Sequence, residues 1–323
     1  MAVGQKQIAE KVGVSIALVS RVLSGRAEEI GIASDTIERV TRAAKEMGYV
    51  PSAAALTLKG KATRTIGVAV YDFNDPFFGA LIRQIQIQAH EHNYSLVLAG
   101  FLSRIPDEQD LQSLHKHAID GLVVLGSDDT EARWLKNFNH LPIARIGHGV
   151  PAEASVRVTV DEVDAARQLM DFLVHGGRRN PVYLCGPLPA HRLRKAAFEQ
   201  AAAVRDLQLP AIVSGEGDAV AAGRQATREL INTGHTVDAL ICATDQVAIG
   251  ALQTLHQAGV DVPGKIAVTG FDGIAAAEQF IPAITTLLQP IEEIVRHAFR
   301  AIIEPGQSNE ILLPGKFIAR QTS

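Results

Sequence analysis

From Thr65 onward the chain alternates short apolar runs with longer stretches of helical periodicity, and no other feature restricts its fold as tightly. An apolar run at 65–71 precedes a helical pattern over 76–92, and the same alternation continues through 95–99, 107–117, 121–125, 131–139 and 143–146. After a run at 156–160 it restarts. Helical patterns over 163–175, 193–204, 221–232 and 246–258 separate apolar runs at 181–185, 211–214, 239–242 and 266–271. Apolar runs joined by helical crossovers predict parallel sheets covered on both faces. Two such series in succession predict two doubly wound α/β subdomains. Ligands of such sheets bind at the carboxyl ends of the strands, so the expected pocket is the cleft between the halves. A helix over 291–303 and an extended segment over 310–319 follow, so the chain is expected to cross between halves more than twice.

The first 64 residues obey a different pattern. Ile8, Ala9 and Val12 recur at helical spacing, Gly13 supplies a tight turn, and Ser15 can cap a second helix over 16–23. Val19, Val22 and Leu23 form the inward stripe of that helix, leaving Ile16, Ala17, Ser20 and Arg21 to project elsewhere. A third helix is predicted from Ser34 as N-cap, with Ile37, Val40, Ala44 and Met47 as its stripe and Gly48 as its C-cap. Small Ala9 and the glycine turn are what a helix-turn-helix needs to place its second helix in a major groove, although any small three-helix bundle can share them. Charge favours the first reading. Residues 1–64 carry ten Lys or Arg and six acids, a net +4, so the rest of a chain of net charge −4 carries −8. A basic end on an acidic body suits a polyanionic partner. Residues 49–60 then read either as an interdomain linker or as a short helix started by Pro51, stopped by Gly60 and too short to be stable alone.

Ala9-Glu-Lys-Val-Gly-Val-Ser15, Val19-Ser-Arg-Val-Leu-Ser-Gly25, Gly48-Tyr-Val-Pro51 and Arg64-Thr-Ile-Gly-Val68 together resemble the amino-terminal signature of the LacI/GalR family of transcriptional regulators. The body continues the resemblance in Asn74-Asp-Pro-Phe-Phe78, Leu184-Cys-Gly-Pro187, Thr244-Asp-Gln-Val-Ala-Ile-Gly250 and Thr269-Gly-Phe-Asp272. The resemblance implies a helix-turn-helix domain over 1–50, a hinge helix and linker over 51–64, and a periplasmic-binding-protein-like type I effector and dimerisation domain over 65–323. Within the last, one subdomain is expected over about 65–158 plus 291–304 and the other over about 159–288 plus 310–323. The implied partners are double-stranded operator DNA, a second copy of the chain, and a small effector, a sugar or sugar derivative. The resemblance implies DNA contacts by Ser15, Ile16, Ala17, Ser20 and Arg21 in the major groove, and by Ser52, Ala55 and Leu58 in the hinge, with Leu58 wedged into the minor groove.

The effector candidates are Phe77, Phe78, Arg194, Thr244 and Asp272. A ring at 77 or 78 can pack on a sugar face or fill core. The planar donor fork of Arg194 suits hydroxyls or a carboxylate, whereas Arg192 and Lys195 read as solvated helix charges. Asp272 ends an apolar strand as ligand acceptor or as a cap, and Thr244 is a candidate of the same kind. The chain departs from the family at several points. Gly4-Gln5 lacks a capping hydroxyl, Leu18 replaces a common Thr, and the loop 25–33 is longer than usual. Ala219 stands where the best-known members have a large aromatic, so the ligand is expected to be larger than a monosaccharide or held differently.

The remaining composition narrows the class. No G-x-G-x-x-G after the first strand, G-x-x-x-x-G-K-[ST], G-x-S-x-G or H-E-x-x-H occurs, which argues against an enzyme and against a bound cofactor or catalytic metal. Cys185 and Cys242 lie in separate apolar runs and read as buried free thiols. A solute-binding module without a regulatory role is the rival reading, against which the basic helical segment speaks. No run of 18 apolar residues and no leader pattern is present, so the expected location is cytoplasmic.

Overall fold

The computed structural model describes residues 3–27, 30–49, 62–126, 133–147, 155–186, 189–214, 217–234, 236–306 and 310–323. Ser52, Ala55 and Leu58, with the rest of the expected hinge up to residue 61, lie outside the described residues. The chain divides into two compact units, Met1–Thr63 and Arg64–Ser323. Among the described residues no helix is long and apolar enough to cross a membrane.

The first unit holds α1 (Gln5–Val12), α2 (Ile16–Leu23) and α3 (Ser34–Glu46). Ile8, Ala9, Val19, Val22, Val40, Ala43 and Ala44 close one small core among them. Gly13 takes φ 76°, which lets α2 start with only three residues between it and α1, and the Ser15 hydroxyl accepts the Leu18 N–H at 3.2 Å. Gly4 caps α1 without a hydroxyl of its own. The Gln7 side chain compensates by reaching back to accept the Gly4 N–H at 2.7 Å. One boundary moves: Ala33, not Ser34, is the N-cap of α3, because its carbonyl already accepts from Thr36 and Ile37 and draws Ser34 into the first turn. At the other end Met47 is the C-cap, and Gly48 follows it with φ 65°.

The second unit is built on two six-stranded sheets. The first contains β1 (Thr65–Val70), β2 (Ser95–Gly100), β3 (Gly121–Leu125), β4 (Ile143–Ile146) and β5 (Ser155–Val160), with α4 (Pro76–Glu91) and α5 (Glu108–Lys116) as crossovers. The second contains β6 (Pro181–Cys185), β7 (Ala211–Val213), β8 (Ala239–Cys242) and β9 (Ala267–Asp272). Its helices are α6 (Glu162–His175), α7 (Pro189–Ala203), α8 (Ala219–Thr233), α9 (Asp245–Gln257) and the short α10 (Ala275–Gln279). Strand β10 (Thr285–Leu288) completes this run beside β9, and α11 (Ile291–Ile303) then returns to pack under the first sheet. Strands β11 (Glu310–Leu313) and β12 (Lys316–Ile318) end the chain. The orders are β11-β5-β4-β3-β1-β2 and β12-β10-β9-β8-β6-β7, parallel throughout except where β12 runs against β10.

Three expectations change here. The extended segment 310–319 splits: β11 pairs with β5 in the first sheet and β12 with β10 in the second, so residues 310–313 do not belong with the second half. Pro314 and Gly315 make the break, since neither continues a ladder well. Residues 133–138 of the helix expected over 131–139 form a 3₁₀ turn that buries Trp134, Leu135 and Phe138, a short connection with too few residues to propagate an α-helix. Strand β10 is new. Its Thr285 and Thr286 are fully buried yet polar, which breaks the apolar signal of a central strand.

Candidate functional site

Both sheets reverse their strand order beside their first strands, so each has a crevice at the carboxyl ends of its inner strands, β1 and β3 in one and β6 and β8 in the other. The segments leaving those strands converge on one cavity. Asp75, Phe77 and Phe78 follow β1, Gly126 follows β3, Ile146 and Gly147 end β4, and Thr159 lies on β5. From the second half come Ala190, His191 and Arg194 on α7, Thr244 before α9, Asp272 at the end of β9 and Gln289 after β10, while Ile294 enters from α11. All five residues singled out for an effector line it.

Each is fixed by local chemistry. Asp75 caps α4 by accepting the Phe77 N–H at 2.8 Å, and Pro76 occupies the first helical position, so both rings leave the same turn. Phe78 is buried and Phe77 half-buried, their centroids 6.1 Å apart. Gly126 is required beneath them, because a Cβ there would lie 2.6 Å from the Phe78 ring. Thr244 caps α9 through its hydroxyl, which accepts the Val247 N–H at 3.3 Å. Its own hydrogen bond is therefore structural, although the side chain also faces the cavity.

Arg194 is the centre of the polar wall. It is 5% exposed; its Nε donates to Glu162 at 2.8 Å and its Nη1 to the Ala243 carbonyl at 2.5 Å. Nη1 also lies 3.5 Å from Asp272 Oδ1, and the guanidinium carbon sits 3.6 Å over the Phe271 ring. Burial opposes the Arg194 charge, but Glu162 and Asp272 more than offset it, so the group is held more basic than usual. By contrast Arg192 is exposed and Lys195 pairs with Glu199 at 2.6 Å. Asp272 is 5% exposed with φ 103°, a conformation that L side chains avoid, and it accepts the Gln289 amide N–H at 2.7 Å. Burial pushes its carboxyl far above the usual range, opposed by Arg194, and burial likewise raises Asp75.

Sequence reasoning passed over Asp75, Thr159, Glu162, His191 and Gln289. Asp75 sat inside the quoted Asn74-Asp-Pro-Phe-Phe78 motif and could have been found there. Gln289 carries no local signal, because its place depends on the chain crossing just after it. The cavity has a volume of about 60 Å³, room for a few waters and well short of the roughly 300–1,000 Å³ of ordinary ligand sites. A larger space of about 520 Å³ opens at the other ends of β6 and β7, by Asn180, Val182 and Ile212. It lacks buried, convergent polar groups of the kind Arg194 and Asp272 supply, so the smaller cleft is the better candidate.

In the first unit Ile16 is 49% exposed, Ala17 and Arg21 are exposed, and Ser20 is half-buried. Ser15 is exposed as the cap of α2. The open face of α2 thus carries an apolar start and one guanidinium.

Residues 6–52 match the family described as bacterial regulatory proteins, lacI family, and residues 170–323 match a periplasmic binding protein-like domain. The regulator CelR of Thermobifida fusca is 30% identical over 319 residues, covering 94% of this chain and 93% of that one. The repressor CytR of Escherichia coli K12 is 29% identical over 311 residues, covering 95% and 90%. The lac repressor dimer, solved on its operator with the anti-inducer ONPF, superposes with a TM-score of 0.84 at 25% identity and covers 100% of this chain and 99% of that one. With an α2 exposed for a groove, two α/β sheets around one cleft and these relatives along its whole length, the chain belongs to the LacI family of DNA-binding transcriptional regulators.

Proposed function

We propose that this chain represses transcription as a homodimer on a near-palindromic operator, and that a sugar or sugar derivative in the cleft sets its grip on DNA. The observation that carries the effector reading is the convergence of Phe77, Phe78, Arg194, Thr244 and Asp272, from four separate stretches of sequence, on one cavity. Aromatic faces beside buried donors and acceptors are the surfaces a polyhydroxylated ring needs. Two solved structures of this fold support the class: one described as a transcriptional regulator CelR-cellobiose complex, and one of a LacI family regulator from Arthrobacter in complex with lactose. Because the cavity is small, admitting such a ligand requires the two subdomains to swing apart and reclose. Arg64, at the start of the effector unit, is tied to the first sheet: its N–H donates to Asp120 at 2.8 Å and its carbonyl accepts from Ser95 at 2.8 Å. Rotation of that subdomain therefore moves Arg64, and a hinge over 51–64 passes the motion to residues 1–50.

On DNA, Arg21 offers a bidentate donor to guanine and Ile16 and Ala17 offer apolar contact to a thymine methyl, with Ser15 and Ser20 on the same helix. From the hinge, Ser52, Ala55 and Leu58 contact the DNA, with Leu58 as the wedge in the minor groove. Selecting duplexes from a random pool with the full chain, then titrating the selected operator with neutral mono- and disaccharides, tests the reading. A palindromic consensus whose affinity changes with one sugar is the expected result. No duplex preference at all would favour the solute-binding rival, and a preferred duplex indifferent to every cleft ligand would remove the effector role.

A further inference from the structure

We propose that the cleft accepts uncharged, hydroxyl-rich ligands and rejects phosphorylated and carboxylated ones, because its guanidinium is already paired from within with Glu162 and two further carboxyls line the same space. The inference rests on the effector reading of the cleft and narrows the class of ligand it takes.

The charges are few enough to follow individually. Among the described residues that line the cavity, Arg194 is the only arginine or lysine. Glu162, the first residue of α6, meets its Nε at 2.8 Å with both side chains almost wholly buried. That contact sets a carboxylate directly against the guanidinium, although Arg157 also acts on Glu162. Two further carboxyls line the cavity, Asp75 and Asp272, and neither has a second lysine or arginine among the lining residues to balance it. An anionic group brought to Arg194 would therefore leave water to sit beside Asp75 and Asp272, with its one cation already paired with Glu162. Burying a charge without a free partner is the costly case.

Protonation of these carboxyls eases the repulsion but supplies no cation to an anion. Burial raises Asp75 and Asp272, so either can hold its proton and donate it, but a neutral carboxyl adds no positive charge. Neutral hydroxyls suit both states, since they accept from a carboxylic acid and donate to a carboxylate. His191, the remaining lining residue with a basic ring, is 1% exposed against Gly186, where a Cβ would fall 2.6 Å from its Nδ1. Its ring is buried at the cavity wall, packed against Gly186.

Inorganic phosphate is the probe, and the full chain is the sample. Calorimetry and thermal unfolding should show no phosphate binding by the wild-type protein beyond a chloride control of equal ionic strength. Glu162→Gln keeps the size and one acceptor oxygen while exposing the Arg194 charge, and should raise phosphate affinity by about 100-fold, the low end of what an uncompensated buried charge is worth. Adding Arg194→Gln should abolish the gain. If Glu162→Gln fails to fold, Asp75→Asn replaces it and should move the phosphate affinity in the same direction. D-ribose against ribose 5-phosphate and cellobiose against cellobionate extend the comparison. Wild-type binding of phosphate or of either anionic sugar, lost on Arg194→Gln, would overturn the charge argument while leaving the effector reading intact. Folded Glu162→Gln without any gain would overturn it equally. A neutral sugar that binds elsewhere, untouched by Arg194→Gln, counts instead against the cleft as the effector site.

Discussion

Asp245, the first residue of α9, is completely buried, and its carboxylate should make the stability of this protein fall as the pH rises through the neutral range. Burial pushes its pKa from 3.8 to about 7, against the pull of the Thr286 hydroxyl at 2.5 Å and the Ile274 N–H at 2.8 Å. The unfolded chain releases this proton near 4 and the folded chain only near 7. Between those values the native state therefore binds the extra proton, and every unit of pH costs it stability, about 1.4 kcal/mol per unit if Asp245 acted alone. Over the whole window that amounts to roughly 4 kcal/mol, fully present below pH 4 and gone above 7. Asp245→Asn removes the titration. It keeps an oxygen for Thr286 but turns an amide toward Ile274, a loss of about 1–3 kcal/mol that does not vary with pH. The assay is urea unfolding of the full chain, wild type and variant, at half-unit steps between pH 4 and 8, with the difference in unfolding free energy plotted against pH. The difference cancels the carboxylates that titrate in both proteins. It should narrow steadily toward pH 7 and then flatten, the variant overtaking the wild type if its fixed loss is small. A difference constant across the window would refute the argument, because it would mean that Asp245 ionises equally easily folded and unfolded.

Helices α8 and α9 cross at two glycines: a Cβ on Gly250 would lie 2.1 Å from the Val220 carbonyl oxygen, and one on Gly223 2.2 Å from that of Val247. Since backbone cannot yield as a side chain can, Gly250→Ala should lower the unfolding free energy by about 1–3 kcal/mol or more, measured by denaturant titration. Ser15→Ala removes the cap of α2 and should cost about 1 kcal/mol in the helical unit, with Ser15→Thr restoring most of it; circular dichroism melting of the full chain reads both. Arg21→Ala should relax base preference at one position of the half-site by about 1–3 kcal/mol while keeping the DNA bend, whereas Leu58→Gly should lose the bend and more affinity than that; gel shift with permuted operators separates them.

What could be read beforehand was whatever local chemistry decides. The cap at Ser15, the turn at Gly13 and the stripe Val19 and Val22 rest on neighbours a few residues away, and all are present. Arg194 could be preferred to Arg192 and Lys195 only through the family resemblance and the fit of its planar donor fork to hydroxyls, since nothing in the neighbouring sequence tells the three cations apart. Strand β10 escaped because its interior is threonine, made tolerable only by Asp245 and the chain end: Thr285 accepts from the Arg320 N–H, and Thr286 donates to Asp245. Glu162 and Gln289 escaped because their partners, Arg194 and Asp272, are distant in sequence and meet them only where the chain passes between sheets. The undivided reading of 310–319 failed for the same cause, as one extended pattern can serve two ladders when a Pro-Gly pair separates them.

Three passages join the halves: after Val160, between Gln289 and Ile291, and at Pro314-Gly315. In the order of synthesis this leaves the first sheet unfinished for most of the chain's length. Its core includes Ile294, Val295, Ala298, Phe299 and Ile302 from α11, and its outer edge is β11, so five strands emerge with an open greasy face and a bare rim while the whole second sheet is still being made. The second sheet in turn lacks its last strand until the final eight residues. Neither half is a contiguous piece that a ribosome could release finished, and a nascent chain of this kind needs shelter for its first half until the last thirty or so residues arrive.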